Sequence, residues 1–480
     1  MEQWSSKLGF LLAAIGSAVG IGNIWRFSAV LGQNGGGAYL VPFLIAVFLF
    51  ALPLMVLELA VGRQYRTNVV TAFATVRPEF RILGWLLCAT VFLVLSYYLV
   101  IAGWTVGYTL ISLSGEVVSF SEFTTSWLPV AFFLFTAVAT GVIVSQGIQK
   151  GIERISVVLI PVSVGILVFL AAYGVTLPGF SEGIRYLFTP DFSVLADPLL
   201  WSAAFGQAFF SLSVGTGILL TYGSYVGKDQ SLPSSALTIT LADVFVALLS
   251  GIVIFPIVFS FGLAPTVGAE LAFTTLPRAF AAMPGGILLA VAFFLVLFFA
   301  SITSAISMLE VSVSAIRESL HWSRARATLL LTGGVIAAGL PSALSYSTMN
   351  LSFGGVRVLD FMDETVGTLG LPVAAVLLAV AFTWFVPAPM LEAEIGRRLS
   401  RVIYPLCRYV IPPVLIVTTA ARLLSGYDFP DTRNLPGSEF IGTLLQAEGF
   451  FVIVAILIVA YYLFCRFRNC RLSGIICRRK

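Results

Sequence analysis

The chain has 480 residues, 59% of them hydrophobic and 10% charged, with a formal net charge of +4 and a mean hydropathy of +1.00. That balance excludes a soluble globular protein and describes a polytopic membrane protein. The basic residues gather in loops, so the small positive charge concerns topology and not nucleic acid. A single histidine, His321, removes any histidine-rich metal or redox centre. The five cysteines, Cys88, Cys407, Cys465, Cys470 and Cys477, have no spacing of a disulfide framework or zinc site.

The first apolar segment, residues 8–30, reads as part of the working protein, with no cleavable signal peptide. It contains Gly16-Ser17-Ala18-Val19-Gly20-Ile21-Gly22-Asn23, followed by Trp25 and Arg26. Glycine in a helix interior costs roughly 1 kcal/mol relative to alanine, and in lipid every freed backbone group needs another partner. Two readings follow. The helix is broken near mid-membrane, so that its carbonyls and amides can hold a cation and a carboxylate, or the small residues serve close helix packing. Asn23 and Arg26 favour the first, because polar groups at this depth are costly and functional.

About twelve spans of bilayer length follow in order. They centre near Ala18, Phe48, Leu95, Leu134, Pro161, Leu212, Leu249, Val296, Gly333, Leu371, Val414 and Ile456. One set of loops is basic: Arg63, Arg66, Arg77 and Arg81; Lys150 and Arg154; Arg317, Arg324 and Arg326; Arg397, Arg398 and Arg401; and the tail with Arg466, Arg468, Arg471, Arg478, Arg479 and Lys480. The opposite loops carry Glu116, Glu122, Asp191, Asp197, Asp428, Asp431 and Glu439. Both termini are therefore expected in the cytoplasm, and the chain in the cell's inner (plasma) membrane. The sixth span repeats the theme of the first: Ser211-Leu212-Ser213-Val214-Gly215-Thr216-Gly217 echoes Val-Gly-x-Gly. Five spans separate the copies, so they cross in opposite senses, which points to an inverted repeat with a site at the midplane.

These strings resemble the neurotransmitter:sodium symporter family, on its bacterial amino-acid side near the leucine transporter. The likeness is carried by G-S-A-V-G-I-G-N-I-W-R-F at 16–27, N-G-G-G-A-Y at 34–39, G-I-Q-K-G-I-E-R at 147–154, G-Q-A-F-F-S-L-S-V-G-T-G at 206–217 and F-F-A-S-I-T-S at 298–304. The resemblance implies an all-α fold of about twelve transmembrane helices. It also implies a 5+5 inverted repeat with helices 1 and 6 broken, over residues 1–175 and 176–390, and a final pair of spans with the basic tail over 391–480.

The resemblance further implies two sodium sites, built from oxygen ligands as a hard cation requires. The first would use the Ala18 carbonyl, Asn23, Ser211, Asp243 and the substrate carboxylate. The second would use the carbonyls of Gly16, Val19 and Ala300 with the hydroxyls of Thr303 and Ser304. For Thr303 and Ser304 the residues alone allow back-bonding to carbonyls one turn earlier. The implied substrate pocket comprises Ser17, Ala18, Gly20, Ile21, Gly22, Val94, Tyr98, Phe210, Ser211, Ser213, Thr216, Ser304, Ser307 and Met308. Tyr98 is expected to donate to the substrate carboxylate. An aspartate replaces Gly20 in the monoamine branch, so here the substrate should bring its own carboxylate. Ser17 and Thr216 stand where the leucine transporter has bulkier residues, which leaves room for a larger or aromatic side chain.

Arg26 resembles the family's outer-gate arginine, with Asp363 as partner and Asp360 as fallback. Gly151 and Pro161 are placed to let span five unwind. At the inner side Trp4 matches, but the latch arginine falls at Met1. Its acidic partner position holds Glu318, which leaves a latch that is missing or built otherwise, with Lys7 as the candidate. The expectation is a sodium-coupled symporter of a neutral, hydrophobic or aromatic L-amino acid, working by alternating access, with lipid and no nucleic acid as surroundings. Asp243 stands where chloride-dependent members carry a neutral asparagine, so transport is expected without chloride. The alternative is a non-transporting amino-acid sensor of the same fold. An enzyme finds no nucleophile or paired-carboxylate motif, and the sequence leaves the oligomeric state open.

Overall fold

The computed structural model describes residues 2–196, 198–263 and 271–424. The expected twelfth span around Ile456 lies outside them. So do Asp197, Asp428, Asp431, Glu439, Cys465, Cys470, Cys477 and the basic tail from Arg466. Among the described residues nine helices are long and apolar enough to cross a membrane: Gly36–Tyr65, Pro78–Ser114, Leu128–Ser145, Ile148–Gly174, Leu232–Ser260, Gly286–Leu320, Arg324–Leu344, Val358–Trp384 and Arg397–Ala420. A bent pair, Lys7–Ala18 and Gly22–Gln33, passes the same test together. The first eleven expected centres fall on these elements in order, with Leu212 between Pro198–Ser211 and Ile218–Ser224.

Two interruptions position the centre of the molecule. The helix Lys7–Ala18 starts at Ser6, whose hydroxyl accepts the Gly9 amide at 2.9 Å, a side-chain cap that satisfies one free donor of the first turn. It stops at Ala18, where Val19 is extended, and the chain resumes at Gly22 with a bend of 54°. A side chain at Gly22 would meet the Phe210 ring at 2.8 Å, so only glycine lets the second piece lie against that ring. In the sixth span the chain leaves the helix after Ser211 and turns through left-handed backbone at Ser213 (φ 53°), Gly215 (φ 84°) and Gly217 (φ 75°). A β-carbon at Gly215 would lie 2.5 Å from that of Ala375, so the turn packs directly on a neighbouring span. Ser213 holds a conformation glycine adopts more readily, and its hydroxyl donates to the Ser17 carbonyl at 2.7 Å. The two interruptions are thus tied to each other. Glu58, buried in the second span, accepts the Gly215 amide at 2.5 Å.

Span five opens on a wide helical turn, Ile148–Glu153, after Gly147 (φ 88°), and carries Pro161 inside its helix. Gly151 packs its Cα against the Ile143 carbonyl, leaving no space for a side chain. The strand content among the described residues is one short antiparallel hairpin, Ser352–Phe353 with Val356–Arg357.

Candidate functional site

A cavity sits where the two interruptions face each other. It is bordered by Ser17, Ala18, Gly20, Gly22 and Asn23 from the first span, and by Phe210, Ser211, Ser213 and Thr216 from the sixth. Val94 and Tyr98 come from the third span, and Ser304 and Met308 from the eighth. Two apolar residues that sequence reasoning missed, Val91 and Leu371, complete the wall. Each lies within an unbroken apolar run, where nothing in the sequence separates a pocket wall from core. Two expected lining residues stand back. Ser307 is buried, donating to the Thr303 carbonyl at 3.0 Å and sharing a 2.7 Å hydrogen bond with the Tyr222 hydroxyl. Ile21 contributes its backbone, whose amide donates to the Tyr98 hydroxyl at 3.3 Å.

Asn23, Ser211 and Asp243 are all buried and converge at one edge of the cavity. The Asn23 amide nitrogen donates to Asp243 Oδ1 at 2.6 Å and to Ser211 Oγ at 2.8 Å. The Ser211 hydroxyl lies 2.9 and 3.0 Å from the two Asp243 oxygens. The Asn23 carbonyl oxygen accepts the Gly20 amide at 3.0 Å, inside the interruption. A second oxygen-rich spot forms between the first and eighth spans. Ser304 Oγ donates to the Gly16 carbonyl at 3.2 Å, and Thr303 Oγ1 lies 3.1 Å from the Ala300 carbonyl. A β-carbon on Gly16 would sit 3.1 Å from that of Thr303, so glycine brings the two spans into contact there.

On one side of the cavity the Arg26 guanidinium covers the Phe210 ring at 4.5 Å and donates to Thr368 Oγ1 at 3.3 Å. The four ion pairs among the described residues do not include Arg26 with Asp363. The fallback acid Asp360 accepts the Tyr346 hydroxyl at 2.8 Å.

At the opposite end the chain's first residues are tied down, by a fastening built otherwise than in the family and without Lys7. Lys7 makes none of the ion pairs among the described residues, and Met1 lies outside them. Glu318 is engaged by Thr67 and by the Asn68 side chain instead. The fastening is Glu2, which reaches Arg324 at 2.6 Å and Arg317 at 2.9 Å. Arg324 in turn pairs with the fully buried Glu310 at 2.6 Å, and Glu310 accepts the Tyr225 hydroxyl at 2.9 Å. Next to it Glu153 accepts the Ser5 amide at 2.8 Å and the hydroxyls of Ser5 and Ser6 at 2.5 and 3.2 Å. Its carboxylate occupies the space a side chain at Gly9 would fill. Trp4 donates its indole N–H to the Tyr222 carbonyl at 3.1 Å.

Comparison with known proteins gives concordant matches. The model of the sodium:neurotransmitter symporter family matches residues 1–129 and 119–467. The sodium-dependent transporter YhdH of Bacillus subtilis is 36% identical over 442 residues, spanning 86% of this chain and 96% of that protein. The sodium-dependent transporter MJ1319 of Methanocaldococcus jannaschii is 32% identical over 465 residues, 89% and 92% of the two chains. The crystal structure of MhsT in complex with L-phenylalanine overlays with a TM-score of 0.82 at 36% identity, covering 88% of this chain and 99% of that one.

Proposed function

The chain belongs to the sodium:neurotransmitter symporter family and has its multi-pass, all-helical, leucine-transporter-like fold, and on that premise we propose that it carries a neutral, hydrophobic or aromatic L-amino acid across the membrane together with sodium. On this reading the two interrupted spans belong to inverted repeats, residues 1–175 and 176–390, and both termini face the cytoplasm of a cell bounded by its plasma membrane. Arg26 and Asp363 close the outer side, and span five loosens between Gly151 and Pro161 to release the second ion inward. The L-phenylalanine held by MhsT supports the substrate class.

The observation that carries the reading is the convergence of Asn23, Ser211 and Asp243 beside the cavity. It offers carboxylate and hydroxyl oxygens to a hard cation. The Ala18 carbonyl and the substrate carboxylate would complete this first shell. The Gly16, Val19 and Ala300 carbonyls with Thr303 and Ser304 would hold a second ion. The Tyr98 hydroxyl beside the Ile21 amide is placed to receive the other side of that carboxylate. Gly20 leaves no side chain there: a β-carbon would lie 2.9 Å from Ser304 Oγ and 3.0 Å from the Tyr98 hydroxyl.

Asp243 brings its own negative charge to the sodium, so an anion from solution is not needed to balance it. Uptake in gluconate is expected to equal that in chloride, and a steep loss would remove this part of the reading. The substrate requirement is tested by binding of L-tryptophan and tryptamine in sodium buffer. The decarboxylated analogue lacks a sodium ligand and should bind more than roughly tenfold more weakly, since each 1.4 kcal/mol is a factor of ten. Equal affinities contradict it.

A further inference from the structure

Besides Tyr98, five hydroxyl-bearing residues border the cavity, and the proton of each of these five is already committed. Ser17 donates to the Ala14 carbonyl at 2.8 Å, Ser213 to the Ser17 carbonyl at 2.7 Å and Thr216 to the Ser213 carbonyl at 2.5 Å. Ser304 donates to the Gly16 carbonyl and Ser211 to the Asp243 carboxylate. The Asn23 amide protons are spent on Ser211 and Asp243. Of the cavity's polar side chains, Tyr98 is left with a proton to give, and it faces the Ile21 amide, where a substrate carboxylate is expected. The other side chains of the wall, those of Ala18, Val91, Val94, Phe210, Met308 and Leu371, carry no donor.

A hydroxyl has one proton but two lone pairs, so a wall whose protons are spent still accepts. The acceptors differ in what remains. Ser211 already accepts from Asn23, and Thr216 accepts from the Ile218 amide at 3.3 Å. Ser304 and Thr303 belong to the oxygen-rich spot read above as a cation site. Ser213 stands in the left-handed turn and uses its side chain to join the two interruptions. Ser17 lies in the intact helix, before the interruption, and its hydroxyl makes the single bond to Ala14 among the described residues.

We propose that the cavity's side chains other than Tyr98 present an acceptor-only surface to the substrate's side chain, with Ser17 as the residue that determines specificity. It admits apolar side chains, favours one that ends in an N–H donor, such as an indole, and rejects one that brings an unpaired acceptor, such as a carboxamide. The physical cause is asymmetric. A substrate N–H finds a lone pair waiting, while a substrate carbonyl buried against spent hydroxyls loses its water and gains nothing. The proposal rests on the amino-acid reading above and sharpens it.

The test is competition against a labelled apolar amino acid in sodium buffer. The competitors are L-tryptophan, its sulfur isostere L-3-benzothienylalanine, L-methionine and L-glutamine, on wild type, Ser17→Ala and Ser213→Ala. Tryptophan should bind wild type roughly five- to tenfold more tightly than the isostere, the worth of one net hydrogen bond, and glutamine should compete far more weakly than methionine. In Ser17→Ala the preference should vanish through weaker tryptophan binding, while the isostere binds as before and so reports an intact fold. Equal binding of tryptophan and isostere to wild type overturns the proposal, as does glutamine matching methionine. Retention in Ser17→Ala with loss in Ser213→Ala overturns the assignment to Ser17. Absence of any sodium-dependent amino-acid binding would overturn the functional reading itself, whereas binding without a donor preference removes this inference alone.

Discussion

At the end that carries residues 2–6, closure rests on charge: Glu2, Arg317, Arg324 and the fully buried Glu310 form a continuous ionic chain, with Glu153 gripping Ser5 and Ser6 beside it. At the other end a single guanidinium lies over Phe210 and reaches the Thr368 hydroxyl at 3.3 Å. A buried ion pair is costly to break by removing one partner, because the other charge is left uncompensated. A cation–π stack with one long hydrogen bond is worth about 0.5–2 kcal/mol and parts readily. The structure is therefore fastened at the amino-terminal end and lightly covered at the Arg26 end. On the proposed topology, substrate enters by the lightly covered side.

The comparison can be broken most sharply at Glu310. Glu310→Ala strips the buried partner from Arg324 and leaves Tyr225 without its acceptor, at a cost of about 3 kcal/mol, the lower bound for stripping one partner from a buried pair because Glu2 remains. A lowered melting temperature of the purified protein is expected, and an unchanged one shows that the network is not what fastens this end. Arg26→Ala tests the other end. Sodium-driven transport should fall roughly tenfold, in line with the upper range of one stack and one hydrogen bond, while sodium binding stays near wild type. Transport at the wild-type rate would remove Arg26 from the cover. Glu2→Gln should act least. Its carboxylate is about a third exposed, at 32%, and a pair this open is worth about 0.2–1 kcal/mol. Faster backbone hydrogen exchange at residues 2–6 with little change in melting temperature is expected, whereas a loss as large as that of Glu310→Ala would show that the two ends of the ionic chain carry equal weight.

How much of this was legible in the sequence differs along the same line. The glycines of 16–23 and 211–217 are clustered with small polar residues inside apolar spans, so they stand out, and most of the residues read from them come to one cavity. Val91 and Leu371 were invisible because an apolar residue among apolar residues carries no mark. Ser307 shares a helical face with Ser304 and was placed with it, but Tyr222 claims its hydroxyl from outside the sequence pattern. Glu2 was missed for another reason. One acidic residue near a chain start is ordinary, and its partners Arg317 and Arg324 lie more than 300 positions away. The resemblance directed attention to Met1, Lys7 and Glu318, whereas here the acid is on the terminal segment and the bases are on the scaffold.

The most direct test of sodium-coupled amino-acid symport is uptake of radiolabelled L-tryptophan or L-phenylalanine into proteoliposomes of the purified protein under an inward sodium gradient. The account predicts transient accumulation above the external concentration, abolished when potassium replaces sodium and retained when gluconate replaces chloride. Sodium-dependent binding with no accumulation would contradict it and leave a sensor. Equal uptake with and without sodium would contradict the role given to Asn23, Ser211 and Asp243.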